Sequence, residues 1–217
     1  MSKDNICKQD TEKILLVEGV NDCHVVMALC EAHHIPETFG IYECGSDDRV
    51  LQRLNALIKR SDRPSVIGII LDTDKPKDNP SVAARLDSIK SKLKDYSYQF
   101  PSIPNPNGTI VTGSEGEPKL GFWLMPNNQD IGMLEDFCAD LADLESLEFA
   151  KECVNQAVVK QVSTFKNAHL SKAVIHTYLA WCDEPGYPLG KAITGQSLRP
   201  HSNIAIRFAD WLTLLFT

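Results

Sequence analysis

The chain has 217 residues, 43% hydrophobic and 24% charged, and its 22 Lys plus Arg against 29 Asp plus Glu give a formal charge of −7. This composition excludes disordered and fibrous proteins and allows one generous domain or two small ones. The acidic balance argues against coating nucleic acid by bulk charge, but leaves open an enzyme that meets an acidic substrate through metal ions.

Residues 14–17 (Ile-Leu-Leu-Val) form a short, continuous apolar run, which predicts a strand buried on both faces. Asn21 or Asp22 can cap the following helix, where Cys23, Val26, Met27 and Cys30 recur at helical spacing. A second strand is expected at 39–44. Ser46, Asp47 and Asp48 then open a helix with Val50, Leu51, Leu54, Leu57 and Ile58 on one stripe. Residues 66–71 are apolar except for Gly68 and predict a third strand. Asn79 and Pro80 read as a helix N-cap and first turn, ahead of an apolar face of Val82, Ala83, Leu86, Ile89 and Leu93.

Prolines and glycines interrupt 96–118, leaving 109–112 as a short strand. Residues 120–125 predict another strand, and a helix is expected from about 131 to about 147. The remainder reads as helical, with one helix at 171–182, a Gly- and Pro-rich loop at 183–200, and a last helix from His201 and Ser202 onward. Alternating strands and helices imply an α/β fold with a mostly parallel central sheet flanked by helices. The expected division is an α/β core over 1–146 and a helical extension over 147–217 packed on it.

No apolar run approaches the roughly 20 residues of a membrane span, and the polar start does not read as a secretory signal. The seven cysteines are odd in number and scattered, without a C-x-x-C pair. The expectation is small buried hydrophobes in a reducing cytoplasm, with neither a disulfide framework nor a zinc site.

Two predicted strands end in carboxylates. The first runs into Glu18-Gly19, the third into Asp72-Thr73-Asp74. Open parallel sheets form sites beyond the carboxyl ends of their strands, so these acids are expected at one rim. In extended chain Asp72 and Asp74 point one way and Thr73 the other. Clustered carboxylates repel unless a cation lies between them, and hard oxygen ligands suit Mg2+ or Mn2+. Gly19 would let the backbone approach a ligand closely or turn tightly. Taken singly, each acid also reads as a solvated strand end or a helix cap.

This pattern resembles the TOPRIM domain of topoisomerases, bacterial primases and OLD-type nucleases, over about residues 12–140. A second stretch, Gly121 to Asn128 followed by Gly132-Met133-Leu134-Glu135-Asp136-Phe137, is similar to a small TOPRIM-like family related to the OLD nucleases. The resemblance implies a Mg2+-dependent phosphoryl-transfer enzyme acting on DNA or RNA, most simply a nuclease. It implies Glu18 as general base or metal ligand, Asp72 and Asp74 as the metal-holding pair, and Glu135 as a further ligand. Glu135 reads equally as a first-turn acid favoured by the helix dipole, and Asn127 and Asn128 as turn residues.

Some OLD-type nucleases use a lysine near the metals, and Lys172, with His176 one turn on, is the candidate here. A solvated lysine is the plainer alternative. His33 and His34 read as helix-end residues, and Trp123 and Trp181 as core. OLD-type nucleases usually carry an ATPase domain, but residues 186–192 (Gly-Tyr-Pro-Leu-Gly-Lys-Ala) are one residue short of a P-loop and lack its Ser or Thr. An ATPase partner in trans follows only by analogy. The alternative function is a non-catalytic nucleotide- or metal-binding module, or a subunit of a larger complex. A flavodoxin-like receiver domain fits less well, since its acidic pair follows the first strand.

Overall fold

A computed structural model describes residues 6–74 and 80–217. Five strands form one sheet: β1 (Lys13–Val17), β2 (Gly40–Glu43), β3 (Val66–Leu71), β4 (Thr109–Val111) and β5 (Lys119–Leu124), in the order β2-β1-β3-β5-β4. Every pairing is parallel except that of β4 with β5. The expected α/β fold with a mostly parallel sheet flanked by helices is what the chain adopts.

The apolar runs are central strands because both of their faces are covered. Leu15, Val17, Ile70 and Trp123 enter one core, with α1 (Val20–Ala32) and the C-terminal helices. Ile14, Leu16, Ile67, Ile69, Leu71, Leu120 and Phe122 enter the other, with α2 (Asp47–Lys59) and α3 (Val82–Lys92). Since α1 and α2 lie on opposite faces, the winding reverses between β1 and β3. Their carboxyl ends therefore flank a topological switch point, where α/β sheets form their crevice.

Helix starts follow local capping chemistry. Ser46 caps α2 by accepting the Arg49 N–H, and Ser81 caps α3 by accepting the Ala84 N–H. The anticipated cap Asn79 lies outside the described residues. At α1 the cap is Gly19, earlier than expected, and Asp22 reaches back from the third helical position to accept the Gly19 N–H at 3.0 Å.

The structure corrects the sequence reading in several places. The single helix expected at 131–147 is two, α4 (Leu134–Ala139) and α5 (Leu144–Val159). Asp143 caps α5 through the Ser146 N–H and so starts it as a separate helix. The loop expected at 183–200 contains α7 (Leu189–Thr194), whose Gly190 lies so close to α1 that an added Cβ would come 2.7 Å from the His24 carbonyl. Helix α6 (Leu170–Leu179) and α8 (Asn203–Phe216), capped by Ser202, fall where expected. Trp123 is fully buried, but Trp181 is half-exposed and packs against Phe149. One disulfide forms that the sequence reading does not anticipate: Cys7 and Cys23 are bonded, tying the segment before β1 to α1. Cys30, Cys44, Cys138, Cys153 and Cys182 are free.

Helix α8 closes the core against β3 and β5. Gly68 and Gly121 are cross-strand partners, and a Cβ on either would lie 2.5–3.0 Å from Leu215 or Phe216 side-chain atoms. Two glycines side by side thus form the notch that seats the helix. No described helix is long and apolar enough to cross a membrane.

Candidate functional site

Glu18 follows the last residue of β1 and is buried. Its Oε1 accepts the Asp72 N–H at 2.8 Å, so the carboxylate of one strand end is held by the backbone of the other. The Glu18 carbonyl accepts the Gly45 N–H at 2.8 Å, which ties in the end of β2. Gly19 has φ −138° and ψ 174°, extended backbone open to any residue; a Cβ there would lie 3.3 Å from Asp22 Oδ2.

Asp72 follows β3, and its Oδ1 accepts the Leu134 N–H, the first of α4, at 3.1 Å. Burial pushes its carboxyl well above the usual carboxylate range, and the charges of Glu18, Asp22, Asp74 and Glu135 push the same way. Asp74 therefore lies near enough to be felt at Asp72. Glu135, in the first turn of α4, is 5% exposed and lies 3.5 Å from the Lys172 ammonium. The structure thus brings Glu18, Asp72, Asp74 and Glu135 to one rim with Lys172 at its edge. His176 instead lines a groove between α5 and α6.

Two residues central to this rim have roles that the sequence reading does not assign them. Asp22, which reads from sequence as a helix cap, is buried beside the other acids. Burial first, then Glu18, raises its carboxyl to about 7, against the lowering effect of the Gly19 N–H. Its signal in the sequence is an acid three residues after Gly19, the capping-box spacing that turns its side chain back to the strand end. Thr73 points away from its acidic neighbours, as expected in extended chain, and is fully buried. Its Oγ1 accepts the Gly132 N–H at 2.8 Å and lies 2.8, 3.1 and 3.2 Å from the carbonyls of Met125, Asp130 and Gly132. Its own N–H donates to the Gly132 carbonyl at 2.9 Å. Thr73 thereby fastens the end of β3 to the loop leading into α4.

That loop is built by turn chemistry. Asn127 Oδ1 accepts the N–H groups of Gln129 and Asp130. Asn128, buried at φ 66°, accepts the Leu124 N–H. His33 caps the end of α1, and its Nε2 lies 2.6 Å from the Pro200 carbonyl.

The electrostatic coupling of Asp72 to four other carboxylates marks a dense acidic cluster. Yet among the described residues no three His, Cys, Asp or Glu groups lie close enough together to hold a metal ion. Coulomb coupling extends well past ligating distance, so both hold: the acids share a rim without being drawn onto one point.

This α/β arrangement is similar to a solved structure, the C-terminal region of the Burkholderia pseudomallei OLD protein. The likeness has a TM-score of 0.52 at 14% identity and covers 96% of this chain and 100% of that one. At that identity it speaks for the fold. The chain belongs to the family described as protein of unknown function DUF3226, whose model matches residues 12–217. No curated protein matches it.

Proposed function

We propose that this chain is a TOPRIM-type, divalent-cation-dependent phosphodiester hydrolase acting on nucleic acid, related to the OLD nucleases. The observation that carries the reading is the gathering of buried carboxylates at the switch point between β1 and β3, with Asp22 and Asp72 both raised by burial and mutual repulsion. A fold that spends its stability on repelling buried acids without using them is hard to account for.

The donor set fits a hard cation in chemistry, since every candidate ligand is a carboxylate oxygen. Glu18, Asp72 and Asp74 would hold Mg2+ or Mn2+, with Glu135 beside them. Such an ion neutralises charge that builds on phosphate oxygens and lowers the pKa of a bound water. Asp72 offers its carboxylate from a backbone already fixed by Glu18. Lys172, 3.5 Å from Glu135, supplies a cation at the edge of the rim for a phosphate of the substrate.

Incubating the protein with single- and double-stranded DNA and RNA, with Mg2+ or Mn2+ and with chelator, tests the reading. The expected result is metal-dependent cleavage that Glu18→Gln and Asp72→Asn abolish. Cleavage undiminished in both variants overturns it.

A second reading is a nucleotide- or metal-binding module without catalysis, working within a larger complex that includes an ATPase in trans. The spread of the carboxylates, short of a formed metal centre, favours it. Divalent-ion binding by calorimetry without cleavage of any nucleic acid would select this reading.

A further inference from the structure

Helices α2, α3, α5 and α8 each begin at a Ser or Asp whose side chain accepts the N–H three residues on. Helix α1 begins instead at Gly19, which has no side chain to offer. Its first helical bond, from the Cys23 N–H to the Gly19 carbonyl, is 3.3 Å long, against 3.0 Å for the Val50–Ser46 bond that opens α2. The turn has a covalent anchor in place of a cap, because its fourth residue, Cys23, is bonded to Cys7.

The far end of that bond lies on the outer edge of the sheet. Residues 7–9 run antiparallel beside β2. The Glu43 N–H donates to the Cys7 carbonyl at 2.8 Å, the Gln9 N–H to the Ile41 carbonyl at 3.0 Å, and Lys8 pairs with Glu43 at 2.6 Å. The near end lies one residue from Asp22, which is buried with Glu18 at the rim. The bond thus couples an edge strip to the turn that carries two of the rim carboxylates. While it is closed, no three acids among the described residues lie close enough together to hold an ion. Both sulfurs are buried, so a reductant meets the bond when residues 7–9 lift from β2. A short strip held by so few bonds opens locally at low cost.

We propose that Cys7 and Cys23 form a dithiol–disulfide switch that sets the cation affinity of the rim. The bonded form holds Glu18 and Asp22 back, and the reduced form lets the first turn of α1 carry them onto the ion. The switch rests on the reading of the rim as a Mg2+ or Mn2+ site. Its reductant is a small dithiol. One thiolate of the dithiol attacks one sulfur, the Cys7–Cys23 bond breaks, and the cysteine released takes up a proton. The second thiolate of the reductant then displaces the other cysteine from the mixed disulfide, and that cysteine is protonated in turn. Two electrons and two protons pass to the protein, and the reductant leaves as its cyclic disulfide.

Calorimetric titration of the full chain with Mn2+ tests the switch. Oxidised protein is compared with protein reduced by dithiothreitol and then desalted. Reduction is expected to tighten Mn2+ binding by about tenfold, a usual size for coupling between two sites, and reoxidation to reverse it. Amide exchange at residues 20–23 is expected to quicken on reduction while that of β3 stays the same. Cys7→Ser is expected to bind like the reduced wild type with or without the dithiol, which separates the pair from the five free cysteines. Equal affinity in the two forms overturns the switch and leaves the cation site standing with the bond as a structural tie. Weaker binding after reduction, unchanged exchange in the first turn of α1, or loss of the native circular dichroism on reduction overturns it as well. If neither form binds Mn2+, the cation site and its switch fall together.

Discussion

The Asp72 N–H donates to Glu18 Oε1 at 2.8 Å, so the peptide that ends one strand fixes the carboxylate that ends its neighbour. This single bond joins residues 54 apart in sequence at the centre of the rim. Glu18→Ala therefore removes an acid and leaves a partly buried N–H without that partner. Glu18→Gln keeps an oxygen to accept the bond. In urea unfolding, Glu18→Ala is expected to lose about 1–2 kcal/mol more stability than Glu18→Gln, while both abolish cleavage.

Stability should depend on pH through Asp22. Its carboxyl is raised from 3.8 to about 7 in the folded protein, so between those values the folded state holds a proton that the unfolded chain releases. The contribution is fully present below about pH 3.8 and is lost as the pH rises through about 7. It amounts to on the order of 4 kcal/mol. Melting curves in chelator from pH 4 to 8 should decline more steeply for the wild type than for Asp22→Asn, whose side chain can still accept the Gly19 N–H. Equal slopes would show that Asp22 does not titrate in this way.

The Arg85 side chain is 3% exposed and pairs with Asp47 at 3.1 Å, while its buried Nε and Nη2 have no hydrogen-bond partner among the described residues. Asp47→Ala strands that guanidinium in the interior and is expected to cost about 3–5 kcal/mol, whereas Arg85→Met should cost much less. Denaturant midpoints of the two variants provide the comparison.

The notch beneath α8 should be intolerant of bulk. Gly121→Ala places a methyl about 2.5 Å from Leu215 Cδ2, an overlap expected to destabilise by about 1–3 kcal/mol. Combining it with Leu215→Ala should cost less than the sum of the two single changes, because the second vacates the space the first needs. Strict additivity in that double-mutant cycle would mean α8 seats elsewhere.

Thiol titration of the denatured, unreduced protein should find five reactive cysteines of the seven, since Cys7 and Cys23 are joined. With the two cysteines 16 apart in sequence, reduction is expected to lower stability by about 3 kcal/mol in the chain-entropy picture. Seven thiols before reduction would exclude the bond.

The sheet was legible because strands buried on both faces leave a plain signature, as residues 14–17 and 66–71 do. The rim was legible in part, because strand ends carry their chemistry into the next few residues. What escaped depends on tertiary contact. The break between α4 and α5 rests on a cap by Asp143 that competes with a continuous apolar stripe. The disulfide joins residues whose spacing carries no pattern and which meet only once β1 is in place. Helix α7 has too little periodicity in six residues to register, and it exists because Gly190 lets it lie against α1.

Thr73 sets a mechanical constraint on the rim. Its backbone and hydroxyl bonds to Gly132, together with the Leu134 N–H held by Asp72, weld the end of β3 to the start of α4. Asp72 and Glu135 thus ride on one rigid piece and cannot approach each other by sliding of α4. Any tightening of the carboxylates around a cation has to come from side-chain rotation or from motion of the Glu18–Asp22 turn. The moving part of the machine, in that case, is the first turn of α1, the same turn that the Cys7–Cys23 bond tethers.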